Sequence, residues 1–198
     1  MSYLRIEIDG VEAATVNTDG RDVVAVRVGG TKADHDYADL GVTGGTYDSE
    51  GVTDHRIWVD QMPLRVGQAV SVVFVERGIQ TGEGHRLSDL YPDSANPDPA
   101  PIDPVKLAQE EREAPKVRDR YELKLTIADG ASVRLVTRPD DHGFAFHVLW
   151  SKWNPDRPSA SLHTYTIESV ANGEPGAYAV REKMSVGEAV RLELLRLA

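Results

Sequence analysis

The chain contains no cysteine. That excludes a disulfide framework, a thiolate metal site and a cysteine nucleophile, and leaves histidine and carboxylates as the side chains able to hold a metal. Long apolar runs are missing too, since no stretch approaches the roughly 20 apolar residues of a membrane-spanning helix. The opening MSYLRIEIDG has neither the basic region nor the apolar core of a signal peptide, so a cytoplasmic protein that does not associate with membranes is expected. Signatures of chemistry are equally scarce. There is no HExxH, no HxH pair of the bicupin kind, no GxSxG elbow, no GxxxxGKS/T loop and no GxGxxG after a strand. The Gly-rich stretches VGGTK (28–32) and VTGGTYD (42–48) lack a following helix and read as hairpin turns. No catalytic residue is assigned and no cofactor is expected.

Positive charge is the next deficit. Lys and Arg number 22 against 32 Asp and Glu, a formal net charge of −10 at pH 7. Sequence-independent binding to a phosphate backbone needs clustered cations that displace counterions, so a nucleic-acid partner is not expected. The imbalance is uneven along the chain: residues 1–78 hold 13 acids and 7 bases, 79–120 hold 9 and 6, and 121–198 hold 10 and 9.

What the chain does contain is an element written twice. WVDQMPLRVGQAVSVVFVERG (58–78) reappears as AVREKMSVGEAVRLELLRLA (179–198), with Val66, Gly67, Ala69 and Val70 recurring as Val186, Gly187, Ala189 and Val190. Two further matches share an offset of 119 to 120 residues. YLRIEIDG (3–10) falls on YELKLTIADG (121–130), setting Leu4, Ile6 and Ile8 against Leu123, Leu125 and Ile127; VAVRV (24–28) falls on FAFHV (144–148), setting Val24, Val26 and Val28 against Phe144, Phe146 and Val148. Three matches in one order suggest a tandem duplication.

Each matched element alternates apolar and polar residues with period two, as a strand with one face on a core does. Asp9-Gly10 and Asp129-Gly130 predict turns after the first strand of each half, and Gly67 and Gly187 predict turns into the last strand. The expected fold class is therefore mainly β, a tandem duplication of a small antiparallel β-sandwich or partly open barrel of five or six strands. The expected organisation is a first repeat at 1–78, a linker at 79–120 and a second repeat at 121–198. YPDSANPDPAPIDP (91–104) is too rich in proline for a helix or a central strand. After it, Asp103-Pro104 and VKLAQEEREA predict one short helix near 104–114, stopped by Pro115. A lone repeat of this size buries a marginal core, so the two are expected to pack together about a pseudo-twofold axis.

The closing element W-x-D-x-M-P-L-R-V-G-Q-A-V-S-V-V-F-V-E (58–76) resembles the closing strand pair of small, mostly β bacterial proteins of unknown function, some of them immunity proteins for secreted toxins. The resemblance covers about 20 residues per repeat and transfers no catalytic residue. It implies a binding function.

Candidate site residues follow from what the repeats do not share. Residues 33–60 carry Asp34, Asp36, Asp39, Asp48, Glu50, Asp54 and Asp60 with Tyr37, Tyr47 and Trp58 interleaved and Arg56 as the one strong base. Acidic clusters speed encounter with a basic partner and aromatic residues anchor it. Asp34, Asp36, Tyr37, Asp39, Tyr47, Asp48 and Asp54 are thus expected to capture a basic protein. The alternative is a small-molecule or carbohydrate-binding module that stacks ligand on Trp150, Trp153 or Tyr165, with Trp153 the more exposed tryptophan. A third reading is a His/Asp metalloenzyme built from ADHDYAD (33–39), TDHR (53–56) and PDDHG (139–143), with His35, His55 and His142 as ligands; the competing reading of those loops is solvated turns. His147 is expected on the solvent side of its strand, where His163 on a neighbouring strand could join it. The pattern leaves the oligomeric state open.

Overall fold

The computed structural model describes residues 2–48, 51–92 and 104–196. Glu50 and most of the Pro-rich linker, 93–103, lie outside these. The described residues are mainly β, with twelve strands and three short helices. The first six strands are β1 (Tyr3–Ile8), β2 (Val11–Asn17), β3 (Val23–Thr31), β4 (Ala38–Asp48), β5 (Gly51–Leu64) and β6 (Ala69–Val75). Two helices follow, α1 (Leu87–Leu90) and α2 (Pro104–Glu113), the second where the Asp-Pro start signal places it. The last six strands are β7 (Glu122–Thr126), β8 (Ser132–Val136), β9 (Gly143–Ser151), β10 (Ser159–Tyr165), β11 (Ala177–Lys183) and β12 (Ala189–Leu195), with α3 (Ile167–Ala171) between β10 and β11.

The strands form two antiparallel sheets, ordered β2-β1-β6-β12-β7-β8 and β11-β10-β9-β3-β4-β5. Each half of the chain gives three strands to each sheet, and the halves meet where β6 pairs with β12 and β3 pairs with β9. In those central pairs Ser71 faces Arg191 and Arg27 faces His147, residues that lie 120 positions apart. Backbone bonds across the junction are reciprocal. Gly67 N–H donates to Leu194 O and Gly187 N–H to Phe74 O, both at 2.7 Å; Lys32 N–H donates to His142 O and Lys152 N–H to Asp22 O, both at 2.9 Å.

VGGTK (28–32) and VTGGTYD (42–48), expected as hairpin turns, lie almost wholly within β3 and β4, where a Cβ at Gly30 or Gly45 would stand 2.7 or 2.5 Å from neighbouring backbone oxygens. Other turns follow their residues. Asp9 and Gly10 both have positive φ, 53° and 81°, the requirement of the two-residue hairpin loop joining β1 to β2. In the second half the loop is longer, and only Gly130 has positive φ. Gly67 and Gly187 match at φ 90° and 87°. Alternate residues of both sheets fill one core. Leu4, Ile6, Val24, Val26, Val28, Leu123, Leu125, Phe144, Phe146 and Val148 are all fully buried, while Ile8 and Ile127 pack at its margin.

The two lateral edges are treated differently. After β6 the chain runs as a strap that touches the outer edges of β2 and β5 at Thr15 and Ile57. Thr81 N–H donates to Thr15 O at 2.8 Å, and Ile57 and His85 exchange backbone bonds of 2.9 and 2.8 Å. At the other end of the sheets, β8 and β11 carry no comparable strap among the described residues.

Candidate functional site

The acids of the first half are largely occupied within the fold. Asp54 pairs with Arg56 at 2.8 Å and Arg21 at 2.9 Å, and hydrogen bonding from Arg56 above all holds its carboxyl below the usual range. Asp34 accepts the Thr31 N–H at 2.6 Å, which is turn chemistry. Asp39 is half-buried beside Arg27, 3.9 Å away, and desolvation raises its pKa. Asp36 and Asp48 are exposed. Tyr37 is a packing residue: its hydroxyl donates to Leu195 O at 3.0 Å and its ring meets Tyr121 edge-on at 5.0 Å. Tyr47 is 42% exposed. Asp34, Asp36 and Asp39, with His35 and Gln61, line a hollow of about 400 Å³.

The aromatic candidates separate. Trp150 belongs to the core at 5% exposure, its indole N–H donating to Pro155 O at 2.9 Å, so its faces are covered by protein. Trp153 is 71% exposed, with the Lys152 ammonium 5.1 Å from its ring. Tyr165 is partly buried at the end of β10. His35 lies in the exposed loop after β3, His55 in β5, and His142 is buried just before β9. Among the described residues no three His, Asp or Glu side chains converge as ligands.

A second constellation lies on the outer face of the β11-β10-β9 half of its sheet. Strand alternation sends Phe144, Phe146 and Val148 inward and His147 outward, and the same rule turns Ser159, Ser161 and His163 outward on β10. His147 faces Ser161 across the strands, so His163 is its diagonal neighbour, with ring centroids 5.6 Å apart. His163 in turn faces Tyr178 on β11 at 5.0 Å. Beside this row is an open groove of about 900 Å³, lined among others by His147, Tyr178, Arg157, Arg181 and Lys183. Arg181 stacks on Tyr178 with its guanidinium 4.2 Å from the ring. Arg157, Arg181 and Lys183 have no carboxylate within 4 Å among the described residues, whereas Arg21, Arg56, Lys124 and Lys152 do.

Desolvation, then His163 and Arg27, pushes the His147 imidazole down to about 4; burial also lowers His163. Both rings are therefore neutral at pH 7. Because the unfolded chain takes up a proton near pH 6.5 and the folded His147 resists it, stability is lost as pH falls from about 6.5 towards 4. His147→Gln should remove that loss. Urea unfolding at pH 7 and pH 4 should show the parent losing up to about 3 kcal/mol more than the variant, less to the extent that solvent reaches the ring. Equal losses would mean that His147 titrates normally.

Of this constellation the sequence exposed His147 and His163. It did not single out Arg157, Arg181 or Lys183. Alternation about Val180 in AYAVREK assigns the faces of Arg181 and Lys183, but Arg157 lies in the turn before β10, and the pairing of β10 with both β9 and β11 is what unites them.

These features define a two-sheet antiparallel β-protein with a cationic groove on one outer face. No family model, curated protein or solved structure matches the chain. Among the described residues no helix is long and apolar enough to cross a membrane.

Proposed function

We propose that this protein is a binding module that receives an anionic ligand in the groove over β9, β10 and β11. The observation that carries the reading is the convergence of Arg157, Arg181 and Lys183, without acidic partners among the described residues, on one concave surface of a chain whose net charge is −10. Cations left unpaired beside Ser159, Ser161 and an aromatic ring are what an anion needs, since charge-assisted hydrogen bonds are stronger than neutral ones. Among the described residues Glu182 is the one acid on the lining.

We also infer that the chain arose by tandem duplication; the matched offsets, the mirrored strand order and the reciprocal bonds at Gly67 and Gly187 support this. On that reading the second copy diverged into a binding surface. Where it has Ser161, His163 and an open β11, the first copy has Gly41, Thr43 and a β5 edge covered by the strap.

The test is a titration with tripolyphosphate and with citrate, followed by amide chemical shifts. Shifts are expected at Ser159–Ser161 and Arg181–Lys183. The double variant Arg181→Glu, Lys183→Glu should weaken binding at least tenfold, roughly 1.4 kcal/mol. Shifts scattered over the surface, or unchanged affinity in the variant, would sink the reading.

A second reading rests on the hollow formed by Asp34, Asp36 and Asp39, which would suit a cationic side chain of a basic protein partner. Asp36→Lys tests it cleanly, because Asp34 and Asp39 have structural duties. Either reading is compatible with the resemblance to immunity-like proteins, which act by binding.

A further inference from the structure

We propose that the free edge of β11 is a docking edge for an extended acidic segment of a protein partner, which adds as a seventh strand beside β11 and lays its carboxylates over the groove. The proposal rests on the anion-binding reading above and specifies the class of ligand.

The first half of the molecule shows how such an edge is covered. β5 and β11 terminate the same sheet at opposite ends. On β5 the strap supplies an extended segment that exchanges two backbone bonds through Ile57 and His85, with the Trp58 indole N–H also pointing to Gly82 O at 3.4 Å. On β11 the pairing is with β10 alone, and among the described residues no backbone group bonds to the side facing away from β10. Six of its seven residues are exposed. AYAVREK contains neither proline nor glycine, so a run of about 20 Å presents unpaired donors and acceptors, interrupted once where the register with β10 shifts at Ala179 and regular over Val180–Lys183.

The charge on this edge selects the occupant. Arg181 stands opposite Ser161 and Lys183 opposite Ser159, so both rise from the groove side of the sheet. A strand added beside β11 places alternate side chains on that same side, within reach of these two cations and of Arg157. Charged residues keep uncharged or basic strands off an exposed edge, and the same charges favour an acidic one. Main-chain bonds would supply affinity and the carboxylates specificity, the usual division in strand addition.

The test uses the full chain and three capped hexapeptides: alternating glutamate–valine, alternating lysine–valine, and the glutamate–valine sequence with alternate amides N-methylated. The glutamate peptide is expected to bind and to slow hydrogen exchange across Ala177–Lys183; the lysine peptide and the N-methylated peptide should each bind at least tenfold more weakly. If the N-methylated peptide binds as well as its parent, strand pairing is overturned while the anion groove stands. If no peptide binds but tripolyphosphate shifts the groove amides, again only the docking proposal falls. If neither peptide nor tripolyphosphate binds, the groove reading falls with it. A concentration-dependent dimer with protected β11 amides would give the edge to a second copy of the chain and overturn the assignment to a partner.

Discussion

Replacing Phe146 with alanine is expected to destabilise the protein by about 3–5 kcal/mol. Phe146 is fully buried at the middle of β9, between Val28 on β3 and Leu162 on β10. It therefore sits where the two halves join within one sheet. Removing the ring leaves a void among neighbours fixed by backbone pairing on both sides, so little collapse can refill it, and the loss lies at the upper end of such truncations. Leu149→Ala is the matched control. It is on the same strand but the opposite face, 43% exposed, and should cost below about 0.5 kcal/mol. Urea unfolding of both variants checks the pair; equal effects would contradict the assignment of faces on β9.

Gly143→Ala should be almost as damaging for the opposite reason. A methyl group there would stand 2.4 Å from Gly30 O and 2.7 Å from the Tyr165 hydroxyl. The first of these is backbone of the neighbouring strand, so relief requires β3 and β9 to separate, at the same junction that Phe146 fills. Overpacking of this kind costs about 1–3 kcal/mol and more where backbone must move. Gly41→Ala is its counterpart in β4, where an added methyl meets nothing within 4 Å. That variant should be neutral or stabilising by up to about 1 kcal/mol, because alanine narrows the unfolded ensemble. Thermal unfolding that ranks Gly41→Ala below Gly143→Ala would contradict the close approach of the two strands.

Much of the fold was legible residue by residue. The alternation of Leu4, Ile6 and Ile8, and of Phe144, Phe146 and Val148, assigned core faces that the structure bears out, because a strand's side chains alternate whatever it pairs with. Asp9-Gly10, Gly67, Gly187 and the start at Pro104 were readable for a similar reason: each is a local backbone requirement met by one or two residues. The site was legible only in part. His147 was placed on the solvent face, and His163 was named as a possible neighbour. The acids at 34, 39 and 54 read as a free surface, but their hydrogen-bond and ion-pair partners come from positions as distant as Arg21 and Arg27. Trp150 and Tyr37 looked like ligand anchors and proved to be packing residues.

By itself, then, the sequence determined the apolar faces of the matched strands and the turns at Asp9-Gly10, Gly67 and Gly187, since these depend on neighbours within a few residues. VGGTK and VTGGTYD were misread as turns, because their glycines serve close strand packing that only the tertiary structure shows. Tertiary structure alone decided that both halves share both sheets, that the strap covers β5 and not β11, and that Arg157, Arg181 and Lys183 meet over one groove. The physical reason is that strand pairing is made by backbone groups that every residue carries, so the pattern of one strand does not name its partner; the burial of side chains between two whole sheets selects it.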